Sequence, residues 1–349
     1  MKHICLIYTG GTIGGLSKDG SNSLKYDASI DKFTVELRNK LPRWTNHISW
    51  DCQSPFQRLS ENIIPEDWLK IAFSVDSAIK AGYKGIIIAH GTDTMAYSAA
   101  AITLMIQNPP IPIVFTGSNK SLFTKNTDAV QNISHALLLA NQQHVSGHFL
   151  SFSGSTRGIS SILSSTKFRK DANRKDCFQP AYSPPIGFIK HPFSLTRLKP
   201  RIVSNLFNKV KLKKNYTTKI GIDSAVASLE LYPGFKPNII DSLVKLGIKG
   251  VILSGYGSGT VCSKGRFSII PSVKRLITNG IPVFVVSQHY GSISLENYGS
   301  SASLQKFGVI GLDNMTKEVA VTKLMWVLSQ VSDFSKVCNL MTAPLVNEL

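Results

Sequence analysis

The sequence predicts an α/β protein, with a larger amino-terminal domain built on a doubly wound, mainly parallel sheet and a smaller carboxy-terminal α/β domain. Two observations predict this fold. Short apolar runs alternate with longer segments of helical periodicity, which is the pattern of parallel strands covered by helices. The chain has 349 residues, which is too long for one ordinary hydrophobic core and suits two domains.

The elements of the first domain follow from periodicity and from the residues at their ends. From Pro65 to Ala81 the apolar side chains fall on one helical face, Pro65 suits the first helical position, and Gly82 follows the end. The predicted strands are Ile4–Tyr8, Gly85–Ala89, Ile111–Phe115 and His148–Phe152, and the predicted helices are Pro65–Ala81, Met95–Gln107 and Thr127–Asn141.

A basic segment separates the two predicted domains. Tyr182-Ser-Pro-Pro-Ile186 is typical of a boundary, and nine Lys/Arg without an acidic residue follow between Lys190 and Lys219. We predict domains at residues 1–187 and 219–349, joined by a solvated linker at 188–218. In the second domain the predicted strands are Gly250–Leu253 and Ile281–Val286, and the predicted helices are Asn238–Leu246, Pro271–Asn279 and Thr316–Leu328.

Composition restricts the classes of function. With 43% hydrophobic and 17% charged residues, the chain is typical of a soluble globular protein. No apolar run approaches the length of a membrane span, and the first residues lack the features of a signal peptide, so we expect a cytoplasmic protein without a membrane partner. The five cysteines are widely spread and have no metal-ligand spacing, which predicts reduced, unligated thiols.

The formal net charge of +18 is unusual for a chain of this composition. A basic stretch can attract nucleic acid or an anionic surface. The sequence has neither the interleaved aromatic residues of a single-strand binder nor a recognisable nucleic-acid fold signature. We therefore expect no functional nucleic-acid partner, and we interpret the charge as a solvated linker combined with a general basic bias.

Three predicted strands end in Gly-rich turns, at Thr9–Gly15, His90–Thr94 and Gly255–Thr260. Open parallel sheets bind ligands at the carboxyl ends of their strands, and glycine lets backbone amides approach an anion or a carbonyl oxygen. Neither GxGxxG nor GxxxxGK[ST] is present, so nucleotide binding is not indicated. For Thr12, between the glycines of the first turn, residue types alone leave open a nucleophile or a turn threonine bonded to its own backbone.

The second turn places a hydroxyl beside a carboxylate, at Thr92 and Asp93, and Lys167 follows a later strand. A hydroxyl becomes a good nucleophile when a base takes its proton, and a lysine with a lowered pKa can be that base. Asp93 would orient or charge-pair the lysine. The alternative that Lys167 is a solvated member of a local basic cluster stays open at this stage.

The chain resembles the bacterial-type L-asparaginases, and most of all their cytoplasmic type I branch. The resemblance covers nearly the whole length and depends chiefly on Tyr8-Thr-Gly-Gly-Thr-Ile-Gly14 and His90-Gly-Thr-Asp-Thr-Met-Ala-Tyr97, whose order and spacing are highly specific. Further matches are Pro65-Glu-Asp-Trp68, Phe115-Thr-Gly-Ser118, Ser165-Thr-Lys167 and Gly308-Val-Ile-Gly311 with Met315-Thr316.

The resemblance implies hydrolysis of asparagine to aspartate and ammonia, without a metal or organic cofactor. It implies that Thr12 attacks the amide carbon, assisted by Tyr26 on a lid, and that Thr92, Asp93 and Lys167 form a second triad. Ser60 matches the residue that binds the α-carboxylate of the substrate, and Asp93 would also bind its α-ammonium. Backbone amides near Thr12 and Thr92 are candidate oxyanion donors. The other substrate-binding candidates are Gly11, Glu61, Gly91, Ser118, Thr260 and Glu296.

Several positions depart from the family pattern. Glu61 and Asn62 follow Ser60, and because members with Ser-Glu here tend to accept glutamine, we expect a weaker glutaminase activity. Thr260, or Ser258, stands where members often have an asparagine that reaches a neighbouring protomer's site. Glu296 approximates the glutamate that pairs with the lid tyrosine. The resemblance also implies a homo-oligomer, which we expect to be a tetramer of two close dimers.

Two other functions stay open. The asparaginase-like component of a tRNA-dependent amidotransferase shares these motifs and would account for the basic charge, but such components carry an amino-terminal barrel for which we expect no room before Thr9. A non-enzymatic amino-acid-binding module explains the glycine turns but not Thr92 and Asp93 together with Lys167. Ammonia release from free asparagine, without tRNA or ATP, separates these functions from the asparaginase that we expect.

Overall fold

The chain divides into two units, Met1–Ile220 and Gly221–Leu349. A computed structural model describes residues 3–16, 26–153, 158–174, 176–190, 201–203, 215–289, 291, 293, 295–296 and 299–348. Each unit is built on its own sheet, which is mainly parallel in the larger unit and parallel in the smaller one. The predicted fold class is therefore confirmed. Within the described residues, no helix is long and apolar enough to cross a membrane.

The strands of the first unit form one large sheet and several short pairs. They are β1 (Ile4–Tyr8), β2 (Gly15–Leu16), β3 (Tyr26–Asp27), β4 (Trp50–Gln53), β5 (Gly85–Ala89), β6 (Ile106–Gln107), β7 (Pro112–Thr116), β8 (Gly147–Ser153), β9 (Ile159–Ser164), β10 (Phe168–Lys170), β11 (Phe178–Pro180), β12 (Gly187–Lys190), β13 (Arg201–Val203) and β14 (Thr217–Thr218). The order in the large sheet is β13-β12-β9-β8-β7-β5-β1-β4.

Neighbouring strands from β4 to β8 run parallel in this sheet, and β9, β12 and β13 continue it in antiparallel fashion. Strands β1 and β5 agree residue for residue with the prediction, and every residue of both is buried. Strands buried on both faces are continuous apolar runs, which is why the sequence locates them well. The parallel direction brings the carboxyl ends of β1, β5 and β7 to one edge.

The helices of the first unit are α1 (Ile30–Lys40), α2 (Pro65–Lys80), α3 (Met95–Met105) and α4 (Ala129–Ala140). Helix α3 is shorter than predicted because Ile106 and Gln107 leave the helix and pair with Thr218 and Thr217. Helix α1 is not among the predicted elements, because it is mostly polar and buries only Phe33 and Leu37 among its described side chains.

The predicted linker at 188–218 is in part a piece of the sheet. Strand β12 pairs with β9, and β13 pairs with β12. Ile189 is buried between exposed or half-buried neighbours, so the alternation of a strand is present but hidden among basic residues. Residues 191–200 and 204–214 lie outside the described part of the chain.

The second unit has the strands β15 (Val226–Glu230), β16 (Gly250–Gly255), β17 (Val283–Ser287) and β18 (Ile310–Gly311), in that order and all parallel. Its helices are α5 (Asn238–Lys245), α6 (Ile270–Thr278), α7 (Gly299–Lys306), α8 (Lys317–Gln330) and α9 (Phe334–Thr342). Thr316 caps α8 in the usual way, because its hydroxyl accepts a hydrogen bond from the backbone N–H of Val319 at 3.3 Å.

A buried ion pair connects α8 with the end of α9 and the segment that follows it. The ammonium of Lys323 donates to the backbone oxygens of Met341 at 3.0 Å and Ala343 at 2.7 Å, and to the carboxylate of Glu348. Both charged side chains are fully buried, and burial lowers the pKa of Lys323. Three acceptors for three ammonium protons make this a satisfied buried charge.

Candidate active site

The turns after β1, β5 and β7 meet at the carboxyl edge of the large sheet. The backbone N–H of Thr9 donates to Ala89 O at 3.0 Å, and that of His90 donates to Thr116 O at 2.9 Å. These bonds extend the strand pairing into the turns and fix their relative height. Polar groups from three segments distant in sequence are therefore collected at one position, as expected for a ligand site of an open parallel sheet.

The turns contact one another through backbone atoms. Gly11 has φ +86°, and a Cβ on it would collide with the Cα of Gly91. A Cβ on Gly91 would in turn lie 2.5 Å from the hydroxyl oxygen of Ser60. Gly11 and Gly91 are predicted substrate-binding residues, and their visible effect is to bring the turns of Thr12 and Thr92 into contact. Thr12 itself is half-buried and begins a short 3₁₀ turn, Thr12–Gly14.

The amine beside Thr92 and Asp93 belongs to Lys170. Its Nζ donates to Thr92 Oγ1 at 2.9 Å and forms an ion pair with the Asp93 carboxylate. Thr92 is buried, whereas the Asp93 side chain is 59% exposed, so the group of three lies at the wall of an open site. The predicted arrangement of hydroxyl, carboxylate and amine is present, but the amine is not that of Lys167, which the sequence predicts.

Lys167 occupies a different place, and the local backbone explains why. Its N–H donates to Ser164 O at 3.0 Å, closing the turn that follows β9, and its ammonium lies over the ring of Tyr182, 5.8 Å from the centroid. The chain then enters β10, where Phe168 is buried against Phe178. Residues two apart in a strand share a face, so Lys170 follows Phe168 inward and reaches Thr92.

Ser60 packs against the second turn. The backbone N–H of Asp93 donates to Ser60 Oγ at 3.2 Å, and the hydroxyl of Thr94 donates to Ser60 O at 2.8 Å. Because the Ser60 oxygen accepts a hydrogen bond, its own proton can be directed to a ligand anion. This geometry suits the predicted contact with a carboxylate. Glu61 follows in the same 3₁₀ turn and is exposed.

Ser118 and His90 support the site from beneath. The Ser118 hydroxyl donates to Lys120 O at 2.6 Å, so it stabilises the turn after β7. The imidazole of His90 is fully buried, and its Nδ1 lies 2.7 Å from Gly91 O. A carbonyl oxygen only accepts, so Nδ1 carries the proton. Burial lowers the pKa of His90 to about 4, and the ring is therefore neutral at neutral pH.

Tyr26 lies in β3, whose backbone pairs with β2 through Leu16. The side chain of Tyr26 and residues 17–25 lie outside the described part of the chain. The base of this hairpin is fixed, since Ala28 N–H donates to Gly14 O at 2.8 Å and the Ser121 hydroxyl donates to Gly15 O at 2.6 Å. The predicted role of Tyr26 stays a prediction.

Thr260 and Glu296 belong to the second unit. The third glycine turn closes on itself, with Tyr256 N–H donating to Thr260 O at 2.9 Å. Glu296 is exposed, accepts a 3.4 Å hydrogen bond from Gln305, and lines a cavity of about 630 Å³ near β18. Their predicted contacts with substrate stay predictions. In neither unit do the described residues include a group of three or more His, Cys, Asp or Glu placed to hold a metal ion.

Two family models match the chain. The amino-terminal domain of asparaginase matches residues 3–199, and the carboxy-terminal domain of glutaminase/asparaginase matches residues 225–341. The chain belongs to the asparaginase family. The family that the sequence motifs indicate is therefore confirmed, and an amidohydrolase type of site agrees with it.

The relatives of this chain include subunits of amidotransferases as well as L-asparaginases. The D subunit of the glutamyl-tRNA(Gln) amidotransferase from Metallosphaera sedula is 32% identical over 98% of this chain and 76% of its own length. Its counterpart of the same name from Pyrococcus abyssi is 31% identical over 100% of this chain and 77% of its own length. These relatives do not support the narrower assignment to the type I branch.

The similar solved structures are those of L-asparaginases. The thermostable L-asparaginase from Thermococcus kodakarensis has a TM-score of 0.83 and 29% identity, and the match covers 100% of this chain and 99% of that one. L-asparaginase I from Vibrio cholerae has a TM-score of 0.80 at 23% identity, covering 100% of this chain and 99% of that one, and this supports the fold alone.

Proposed function

We propose that this chain hydrolyses the side-chain amide of an amino acid, with Thr12 as the nucleophile and Thr92, Asp93 and Lys170 as the proton relay. The observation that carries the proposal is the 2.9 Å contact between Lys170 Nζ and Thr92 Oγ1, together with the ion pair to Asp93. A hydroxyl held between a strand-end glycine turn and an amine is the arrangement that nucleophilic or general-base catalysis requires.

The chemistry divides into two acyl transfers. In the first, the Thr12 oxygen attacks the amide carbon, its proton passes to the departing nitrogen, and the C–N bond breaks to release ammonia. In the second, water attacks the resulting ester, and Thr12 regains its proton. The amine of Lys170 donates to Thr92 and is paired with the Asp93 carboxylate. In the proposed relay the amine passes one proton to that carboxylate, and its lone pair then accepts the proton of Thr92 through the same contact, so that Thr92 can activate water or support the transfer. Both protons return when the transfer is complete.

The substrate is proposed to bind through its charged α-ammonium and α-carboxylate groups. Asp93 is open enough to receive an α-ammonium, and the hydroxyl of Ser60, whose oxygen already accepts from Asp93 N–H, donates to the α-carboxylate. An amino acid held at both α groups presents its side-chain amide to Thr12. Backbone N–H groups of the Thr12 and Thr92 turns are the proposed donors to the developing oxyanion.

The ammonia could have two fates, which correspond to two settings: an independent asparaginase releases it, and a subunit of an amidotransferase passes it on. An independent asparaginase is supported by the thermostable asparaginase, which matches over the full chain with a TM-score of 0.83. A place in an amidotransferase is supported by the curated relatives at 31–32% identity, and it gives the net charge of +18 a role in attracting tRNA. The relatives favour the second setting, in which the ammonia would pass to an aminoacyl-tRNA acceptor.

One assay separates these settings. Purified chain is incubated with asparagine or with glutamine, without ATP or tRNA, and ammonia is measured. Rapid release from asparagine supports the independent asparaginase. Slow release that rises when ATP, glutamylated tRNA and the companion amidotransferase protein are added supports the amidotransferase setting. No release from either amide under any of these conditions overturns the proposed function.

Oligomeric state and location belong to the same proposal. We propose a homo-oligomer, with a tetramer of two close dimers as the form, because the glycine turn at 255–260 lies at the carboxyl edge of its own sheet and would complete a partner's site. A cytoplasmic location agrees with either use of the ammonia. Light scattering of the active protein tests the assembly, and an active monomer would contradict it.

A further inference from the structure

Helix α3 begins without a hydrogen bond from a capping side chain. Thr94 occupies the position before Met95, where threonine normally accepts a hydrogen bond from the first helical turn. In this protein Ser29, Thr316 and Asp333 cap α1, α8 and α9 in that way. Thr94 makes no such bond, and its backbone at φ −113° and ψ 11° lies near the bridge region rather than in the extended conformation of the other three.

The hydroxyl of Thr94 is used elsewhere. It donates to the backbone oxygen of Ser60 at 2.8 Å, and the neighbouring N–H of Asp93 donates to the side-chain oxygen of the same serine at 3.2 Å. Ser60 is 3% exposed, and its hydroxyl oxygen lies where a Cβ on Gly91 would stand. Two consecutive residues thus hold Ser60 at both its main chain and its side chain.

A residue that breaks a local rule while making a specific tertiary contact marks a functional constraint. The contact made here is with the serine that the proposed function assigns to the α-carboxylate. We propose that Thr94 is a positioning residue for substrate binding, which holds the backbone of Ser60 and so places the Ser60 hydroxyl, instead of capping α3. This inference depends on the proposed function, since it assumes that Ser60 contacts the substrate.

A positioning role predicts an effect on binding rather than on chemistry. Thr94→Val keeps the shape of the side chain but removes the donor, and no helix cap is lost because none exists. KM for the amide substrate is expected to rise about tenfold, the size of one hydrogen bond to a binding group, with kcat unchanged within about twofold. Thr94→Ser retains the hydroxyl and is expected to restore KM to within about twofold of the wild type.

The experiment measures KM and kcat for asparagine and glutamine, and the affinity for L-aspartate by calorimetry, in wild type, Thr94→Val and Thr94→Ser. Thr103→Val is the control, because it removes a buried hydroxyl from the same helix that donates to Ala99 O at 2.7 Å and lies 2.8 Å from Ser165 Oγ. Melting curves establish that each variant is folded. The expected result is weaker aspartate binding and higher KM in Thr94→Val alone.

Unchanged KM and aspartate affinity in Thr94→Val, or a loss that Thr94→Ser fails to restore, would overturn the positioning role. An equal loss in Thr103→Val would also overturn it, because the effect would then follow from the loss of any buried hydroxyl of α3 and not from the contact with Ser60. Wild-type protein that hydrolyses neither amide, even with ATP, glutamylated tRNA and the companion amidotransferase protein present, overturns the proposed function separately. Aspartate binding still tests the role of Thr94 in that case. A wild type that does not bind aspartate would overturn both the proposed function and the positioning role of Thr94.

Discussion

Both units contain a segment with the same order of helix end, strand and glycine-rich turn. The surroundings of the turn differ between the two units. Residues 81–91 and 246–257 both pass from a helix end through a glycine in the left-handed region, Gly82 and Gly247, to Lys-Gly, a buried strand and a glycine-rich turn. The strands, β5 and β16, are buried throughout. Local sequence therefore produces the same strand and the same glycine-rich exit in both units.

The difference lies in what packs against each turn. In the first unit the turn packs its backbone against the backbone of Gly11 and the side chain of Ser60, and it receives the amine of Lys170. In the second unit the turn is closed by its own Tyr256 and Thr260, and Ser287 donates to Gly257 O. A strand-end turn thus provides a location, while chemistry depends on groups delivered by segments far away in sequence.

Among substitutions that compare the two turns, removing the hydroxyl of Thr12 is expected to have the largest effect on activity. Thr12→Ala deletes the proposed nucleophile, so kcat should fall about 10⁴-fold or more, and Thr92→Val should add little to that loss because both act in one sequence of steps. The matched deletion in the other unit, Thr260→Ala, should lower kcat/KM by no more than about tenfold. Steady-state ammonia release measures all three, and near-normal turnover in Thr12→Ala would exclude the nucleophile.

The second test separates two lysines of one segment. Lys170→Met removes the amine next to Thr92 while keeping an apolar stem, and kcat is expected to fall about 10³-fold, within the range of a lost proton-transfer group. Lys167→Met removes a cation over the Tyr182 ring and is expected to lower kcat by about fivefold at most. Equal losses in both variants would remove Lys170 from the relay.

The third test concerns stability in the second unit. Lys323→Met leaves the fully buried carboxylate of Glu348 without its partner, and the free energy of unfolding should fall by about 3 kcal/mol. Lys317→Met, in the same helix, breaks a surface pair with Glu230 at 3.3 Å and should cost under about 1 kcal/mol. Urea denaturation of both variants gives the comparison, and similar midpoints would show that burial of the pair contributes nothing.

The smallest expected effect is on substrate choice. Glu61 is exposed in the turn that begins at Ser60, and a carboxylate there is proposed to hold the α-ammonium of a longer substrate from a second position. Glu61→Gln should lower the ratio of glutaminase to asparaginase kcat/KM about threefold, a difference smaller than that of one methylene in a tight pocket. An unchanged ratio would exclude Glu61 from specificity.

The sequence locates the buried framework well and the lysine poorly, for a physical reason. Strands β1 and β5 are apolar runs whose limits are set by glycine and polar residues, so they can be read directly. The choice between Lys167 and Lys170 depends on where a turn closes and which face of the three-residue strand β10 points inward. Those facts arise from pairing with Phe178–Pro180, which no local pattern reveals. The role of Thr94 is equally hidden, because its residue type predicts a helix cap.

The backbone contact between Gly11 and Gly91 has a consequence for how activity appears during refolding. The turns of Thr12 and Thr92 meet through backbone atoms, so they come together only when β1 and β5 pair in register, Tyr8 opposite Ala89. A slip of one residue would turn every strand side chain to the opposite face and carry Thr12 away from Thr92. Ammonia release after dilution from denaturant should therefore recover later than helix content. The recovery of turnover would then report when β1 and β5 have paired in register.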